Sequence, residues 1–331
     1  MKVVAGILIL LCLNFASAPV WASDALPSWR EGKTKQEITS FVRRVTDRRS
    51  HDFVPQNERI AVFDNDGTLW AEQPVYFQAL FVFERIRAMA TQHPEWKDTE
   101  PYKSAIGGDA KGLASSGEKG LTTLIATTHA GMTSDEFSGI VKQWISTARH
   151  PQTKKPLAEM VYQPMQELLA YLRGNGFKTY IVSGGGQDFM RPWTEEFYGI
   201  PPEQVIGSQG GLKYEVVSGV PMLVKLPDVV LIDDHAGKPV GIQRAIGRRP
   251  IFAFGNSDGD REMLEWTMAG AGPRFAGLVH HTDAKREWSY DRHSKVGTLD
   301  KALDQAKAQG WTVTDMAQDW VVIFPVAPSA P

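Results

Sequence analysis

Within this 331-residue chain, Ile60-Ala61-Val62-Phe63-Asp64-Asn65-Asp66-Gly67-Thr68-Leu69-Trp70 sets four apolar residues directly against a polar turn. Such a run, ending in two aspartates and Gly-Thr, is the pattern of a buried parallel strand that stops abruptly. In open α/β sheets, ligands bind just past the carboxyl ends of the strands. Asp64 and Asp66 therefore fall where a ligand would sit. The turn lets both face one point, Asp64 as a nucleophile or metal ligand and Asp66 as a proton carrier. A surface Asp-x-Asp-Gly turn would show the same residues without any chemistry, so the other strand ends have to be consulted.

Three further strand ends carry polar clusters. The apolar run 178–182 leads into Ser183-Gly184-Gly185-Gly186 and an expected helix over 188–198. Glycines let main-chain N–H groups approach an anion, a helix N-terminus adds positive potential, and Ser183 can donate a hydrogen bond. Residues 229–232 lead to Asp233-Asp234-His235-Ala236-Gly237-Lys238-Pro239. Lys238 opens a helix marked by Val240, Ile242 and Ile246, and its ammonium can return to the strand-end face as a compact counter-charge. The run 250–254 ends in Gly255-Asn256-Ser257-Asp258-Gly259-Asp260, ahead of a helix over 261–266. Carboxylate and amide oxygens converging there suit a hard cation such as Mg²⁺, which needs few protein ligands.

Between the first strand and the next, residues 72–156 show helical rather than strand patterns. Residues 75–89 read as a buried helix, 105–120 as a glycine-rich stretch without pattern, and Thr133-Ser134-Asp135-Glu136 as the capping box of another helix. The segment reads as a cap over the site, with Trp70, Tyr76, Phe77 and Trp96 as candidates to line its underside or to fill its core. Residues 34–50 form an amphipathic helix through Ile38, Phe41, Val42 and Val45. Residues 209–226 form a hairpin turning at Ser218-Gly219. Near the end, 275–279 is strand-like, continued by 286–288. His280 and His281 alternate sides on it, so at most one faces the site; His235 is a further candidate contact. Residues 299–308 form a last amphipathic helix, before a Pro-Ala end expected to be disordered.

Composition sets bounds on partners. Apolar residues make up 42% and charged residues 22%, globular proportions that allow a packed core. A net charge of −2 leaves no basic footprint for nucleic acid. At the N-terminus, Lys2, an apolar stretch over 3–13 and Val20-Trp21-Ala22 match a secretory signal with cleavage after Ala22. The mature chain then has no cysteine, since Cys12 lies inside that segment, and no stable membrane association. It is expected in the periplasm or outside the cell.

Taken in order, Asp64-x-Asp66, Ser183, Lys238 and 256–260, each after an apolar strand, resemble the haloacid dehalogenase superfamily. Within it they resemble phosphatases related to phosphoserine phosphatase, of a secreted bacterial type. The likeness covers roughly residues 60–280. It implies an α/β fold, a Rossmann-like core of parallel sheet flanked by helices over 23–71 and 157–331, with a mainly helical cap over 72–156. It implies a Mg²⁺-dependent phosphomonoester hydrolase acting through an aspartyl-phosphate on a small metabolite. Asp64 is then the nucleophile, Asp66 the acid and base, and Lys238 the neutralising cation. Ser183, Gly184 and Gly185 hold the phosphoryl group. Asp64, the carbonyl of Asp66, Asn256 and, through water or a second layer, Asp260 hold the metal, with Asp258 the competing ligand.

Where many relatives carry aspartate after the motif's glycine, this chain has Asn256, which implies weaker metal affinity. Dehalogenases lack the second acid and P-type ATPases carry lysine after the nucleophile, so Asn65 and Asp66 fit neither. Two alternatives share the fold: phosphotransfer to another alcohol, and a periplasmic binding protein without turnover. The particular phosphomonoester and the oligomeric state stay open.

Overall fold

The computed structural model describes residues 24–325. The expected signal segment and residues 326–331 lie outside them. In chain order the first half comprises α1 (Lys33–Thr46), β1 (Ile60–Phe63), α2 (Phe77–Met89), α3 (Tyr102–Gly107), α4 (Ala110–His129), α5 (Ser134–Thr147) and α6 (Gln163–Gly174). Then follow β2 (Lys178–Gly186), α7 (Gln187–Met190), α8 (Thr194–Tyr198), β3 (Val205–Val217), β4 (Val220–Leu231), α9 (Gly237–Ile246) and β5 (Phe252–Gly255). The chain closes with α10 (Arg261–Met268), β6 (Phe275–Thr282), β7 (Ser289–Tyr290), α11 (Lys301–Gln309), β8 (Thr312–Asp315) and α12 (Met316–Asp319).

β1 is buried at every position and sits in the middle of one sheet, ordered β4-β3-β2-β1-β5-β6-β7 with β8 also paired to β6. Pairing is parallel except at β3–β4 and β6–β7. Ile60 and Val62 enter one core with Val182, Ile206, Ala253 and Leu278, which α9, α10 and α11 cover through Ile242, Leu264 and Ala302. Ala61 and Phe63 enter the opposite core with Ile181, Phe252 and Phe254, covered by Phe41 of α1 and Leu172 of α6. A strand buried on both faces needs no polar alternation, hence its unbroken apolar run. The α/β layer expected from the sequence is the one observed.

Helices α2 to α5 leave the sheet after β1. Exit and return run side by side, Ala71 N donating to the Met160 carbonyl (3.0 Å) and Tyr162 N to that of Leu69 (2.9 Å). Thr133 and Glu136 form the reciprocal cap that their spacing predicts, Glu136 N donating to Thr133 Oγ1 and Thr133 N to Glu136 Oε2. The hairpin turn holds Ser218 and Gly219 both at positive φ (52° and 82°), the geometry that suits a two-residue loop between twisted strands. Beyond the expected span, β3 and β4 reach the cap, where Lys225 N donates to the Met132 carbonyl (2.9 Å).

Three expectations need correction. Residues 105–120 are helical, in α3 and α4, with a break at Gly117 (φ 59°, ψ −162°). Small residues there give no apolar periodicity, yet tertiary contacts hold the helices: Ala105 and Leu124 are fully buried, and Arg87 Nε donates to the Ile106 carbonyl at the end of α3. The expected helix over 188–198 is two short helices, because β2 continues through Gly186 and Pro192 cannot donate a helical hydrogen bond. Residues 286–288 do not continue β6. Asp283 Oδ1 accepts from Lys285 N and Arg286 N (3.1 Å each), a turn that sends the chain back as β7.

His129 lies in the cap between the rings of Phe81 (5.9 Å) and Phe137 (4.5 Å), its Nε2 buried without a partner. Burial, reinforced by Lys225, pushes its pKa down to about 3. The folded chain thus holds the ring neutral while the unfolded chain protonates it below its ordinary value of 6.5. Stability should fall as pH drops through that window, by at most about 1.4 kcal/mol per pH unit from this group. Urea titrations across the window should show a shallower pH slope for His129→Gln than for the wild type.

Candidate active site

Past the carboxyl ends of β1 and β2 lies a cavity of about 600 Å³, lined by Asp64, Asp66, Ser183, Gly184, Gly185 and Lys238 among others. Asp64 follows β1 directly, and its N–H donates to the Phe254 carbonyl on β5 (2.9 Å), which fixes where its carboxylate begins. Lys238 occupies the first turn of α9 and uses all three ammonium donors. Its Nζ lies 2.6 Å from Asp64 Oδ1, 2.6 Å from Asp260 Oδ1 and 3.0 Å from the Val182 carbonyl. Burial works against the ammonium, but the Asp260 and Asp64 charges outweigh it and hold the Lys238 pKa above its ordinary value. Burial and then the Asp260 charge push Asp64 up, and Lys238 opposes both.

Asp66 is steered by Trp70, whose Nε1 donates to Asp66 Oδ1 (2.8 Å). Trp70 is itself clamped between Trp193 (4.5 Å, stacked) and Phe77 (4.6 Å, edge-on). Burial raises the Asp66 pKa to about 6, with the indole N–H pulling the other way. Ser183 Oγ accepts from Gly185 N (3.1 Å), which leaves its own proton free to donate into the cavity. Helix α7, after the glycines, is a single turn, so the dipole expected from a full helix there is small.

The loop after β5 divides its oxygens between two tasks. Asp260 Oδ2 accepts from Asn256 N (2.9 Å), Ser257 N (3.0 Å) and Ser257 Oγ (3.2 Å), so this carboxylate orders the loop and Lys238 together. Asp258 is a cavity-lining residue, as Asn256 is not, but its carboxylate is bonded to the start of α11, accepting from Asp300 N (3.0 Å), Lys301 N (3.2 Å) and Ala302 N (2.9 Å). Asn256 is buried against the turn of the first motif. Its Nδ2 donates to Glu72 Oε1 (2.7 Å), and its Oδ1 accepts from Thr68 Oγ1 (3.1 Å). Glu72 Oε1 and Thr68 Oγ1 together set which way the amide points, and burial pushes the Glu72 carboxyl pKa well above the usual range. Gly67 (φ 73°) makes room for this contact, since a Cβ there would lie 2.1 Å from Asn256 Nδ2.

Glu72 also accepts from Tyr290 OH (2.8 Å). Tyr290 stacks on His281 (4.3 Å), whose Nε2 pairs with the Gly67 carbonyl (2.9 Å) and whose Nδ1 pairs with Glu287 (3.2 Å). His281 thus supports the turn of Asp64 and Asp66 from behind, outside the cavity lining, and His280 pairs with Asp291 (3.3 Å). His235 stands at the cavity edge with φ 48°. Of the aromatic candidates, Tyr76 lines the cavity. Trp70 and Phe77 belong to the packed core, and Trp96 stacks between His93 (4.2 Å) and Tyr102 (4.4 Å).

Glu72 and Gln78 carried no motif signal. Glu72 could have been noticed as a charge directly after Leu69-Trp70-Ala71. Gln78, whose Oε1 accepts from Gly186 N (2.7 Å), ties α2 to the glycine segment across 108 residues of sequence. Among the described residues, no group of three or more His, Cys, Asp or Glu is arranged to hold a metal ion. The set expected from the sequence uses one carboxylate, one main-chain carbonyl and one amide oxygen.

The model of the haloacid dehalogenase-like hydrolase family matches residues 61–265, well over half of the chain. No curated protein matches the sequence. A conserved protein of unknown function from Anaerococcus prevotii has a similar structure, with a TM-score of 0.53 at 13% identity, covering 84% of this chain and 90% of that one. A protein of unknown function from Bordetella pertussis follows at a TM-score of 0.49 and 14% identity, over 78% of this chain and 99% of that one. A probable phosphoserine phosphatase from Vibrio cholerae gives a TM-score of 0.37 at 17% identity, over 70% of this chain and 58% of that one. The four strand-end motifs, the sheet that carries them and the matched span agree: the chain belongs to the haloacid dehalogenase-like hydrolase family.

Proposed function

We propose that the protein hydrolyses a small phosphomonoester through an aspartyl-phosphate on Asp64, with Mg²⁺ at the same strand ends. The observation that carries this reading is Lys238 Nζ at 2.6 Å from both Asp64 and Asp260, in a cavity that Asp66 and Ser183 also line. In the first step an Asp64 oxygen bonds to phosphorus, the bond to the leaving oxygen breaks, and Asp66 gives that oxygen its proton. A carboxyl lifted to about 6 is suited to give and take a proton near neutrality. In the second step water attacks phosphorus, Asp66 takes its proton, and phosphate leaves Asp64. Ser183 donates to a phosphoryl oxygen and Lys238 balances the charge.

The donors present fit Mg²⁺. Asp64 and Asp260 both contact Lys238, and Asp66 lines the same cavity, so carboxyl groups outnumber ammonium groups there. The Asp64 carboxylate, the Asp66 carbonyl and the Asn256 amide oxygen would hold the ion, all hard oxygen donors. Asp260 acts outside that set by holding Lys238 and the Asn256 N–H. When bound, the ion supplies positive charge against the phosphoryl oxygens. We propose further that the protein is exported and cut after Ala22; N-terminal sequencing of the exported form should begin at Ser23, and an intact Met1 start would refute it.

Phosphate release from a panel of small phosphomonoesters should require Mg²⁺, stop with EDTA and vanish in Asp64→Asn. Release that survives Asp64→Asn would assign the nucleophile elsewhere. Phosphorylated glycerol in place of free phosphate, at high glycerol, would assign transfer rather than hydrolysis. Asn256→Ala should raise the Mg²⁺ concentration for half-maximal rate. Asp258→Ala should leave it unchanged and lower stability by about 0.5–2 kcal/mol, the worth of a helix N-cap. A metal requirement that rises only in Asp258→Ala would reverse the assignment.

A further inference from the structure

Resting on the phosphatase reading, we propose that the leaving group of the ester is apolar and uncharged, an alkyl or aryl alcohol. The two sides of the cavity differ in chemistry. The core side supplies Asp64, Asp66, Ser183 and Lys238, whereas the cap side supplies Tyr76, Ala79, Val82, Leu121 and Ile125. Two of these are not used by the cap's own core: Leu121 is 48% exposed and Tyr76 39%. Apolar side chains left open at the wall of a deep cavity mark a surface that a ligand covers.

Part of the hydrogen-bonding capacity of the cap side is already taken up within the protein, leaving Gln78 Nε2 and the Tyr76 hydroxyl proton. Glu72 accepts from Asn256 and Tyr290, Gln78 Oε1 accepts from Gly186 N, and Tyr76 OH accepts from Gly297 N (3.2 Å). An amino-acid leaving group would place charges, and a sugar its hydroxyls, against Leu121 and Ile125, whose side chains offer no hydrogen-bond partner. Both cost free energy when desolvated. The other titratable lining residues of the core, Asp234, His235, Asp258 and Lys295, come from its loops rather than from the cap. A cavity of about 600 Å³ also far exceeds what a phosphoryl group alone would fill.

The test is a series of n-alkyl phosphates from ethyl to octyl, below micelle-forming concentrations, with phosphoserine, phosphoethanolamine and glucose 6-phosphate as comparators. With Mg²⁺, kcat/KM should rise by roughly fourfold per methylene until the cavity is filled, mainly through KM. Leu121→Asp, on an exposed position, should lower kcat/KM for octyl phosphate at least tenfold more than for ethyl phosphate. Calorimetric binding of the same series to Asp64→Asn reads the preference without turnover. Turnover with no dependence on chain length, or with a charged or sugar ester preferred, would overturn the substrate class and leave the phosphatase reading standing. No turnover of any ester, with affinity still rising along the series, would overturn the phosphatase reading and keep the apolar site. Binding that ignores chain length would remove the site altogether.

Discussion

The ammonium of Lys238 reaches the ends of three neighbouring strands at once. It touches Asp64 after β1, the Val182 carbonyl on β2 and Asp260 in the loop after β5. Both side-chain partners and the lysine are buried. A buried charge is tolerable only when its partners replace the lost water, and here every donor of the ammonium has an acceptor. Removing one side of such an arrangement costs about 3–5 kcal/mol, so the contact that tunes Asp64 also locks the strand ends together. Function and local stability rest on the same few atoms.

Behind this contact a second layer holds the turn that carries Asp64 and Asp66. Glu72 orients Asn256, Tyr290 joins Glu72 to the ring of His281, and His281 meets the Gly67 carbonyl. These residues come from the start of the cap segment and from the last third of the chain. They bring a buried carboxyl, its pKa pushed well up by burial, beside a motif position where the chain itself has an amide. Around the cavity's upper side the logic is different: the wall is largely hydrocarbon, with Gln78 and Tyr76 bonded to main-chain N–H groups. On the proposed reading, polar floor and apolar wall divide the work between the phosphoryl group and the part of the ligand that varies.

The cap is joined to the core at more than its two hinge strands. Phe81 packs on Phe189 (5.3 Å), Gln78 binds Gly186, and the long β3–β4 hairpin pairs with the segment before α5. Lys225 on that hairpin pairs with Asp188 in α7 and lies over the Phe137 ring (4.8 Å). The cap is therefore seated against the glycine segment that lines the cavity.

The sequence by itself determined the sheet and its strand-end motifs. A strand buried on both faces must be apolar throughout, and a polar turn at its end is conspicuous against it, so Asp64, Asp66, Ser183 and the loop 256–260 could be located by position; Lys238 follows the exposed edge strand β4, whose apolar run has no such cause. The capping box at Thr133 and the turn at Ser218-Gly219 were legible for a similar reason, since each is fixed by neighbours within four residues. Only the tertiary structure decided matters that depend on distant partners. Helices α3 and α4 form in a segment without periodicity because other helices bury it. The Asp258 carboxylate caps α11 because residues 300–302 arrive beside it. Glu72, Gln78 and His281 acquire their roles from contacts spanning 184, 108 and 214 positions. Local patterns record what a residue does within its own turn or strand; a side chain's partner across the fold leaves no periodic trace.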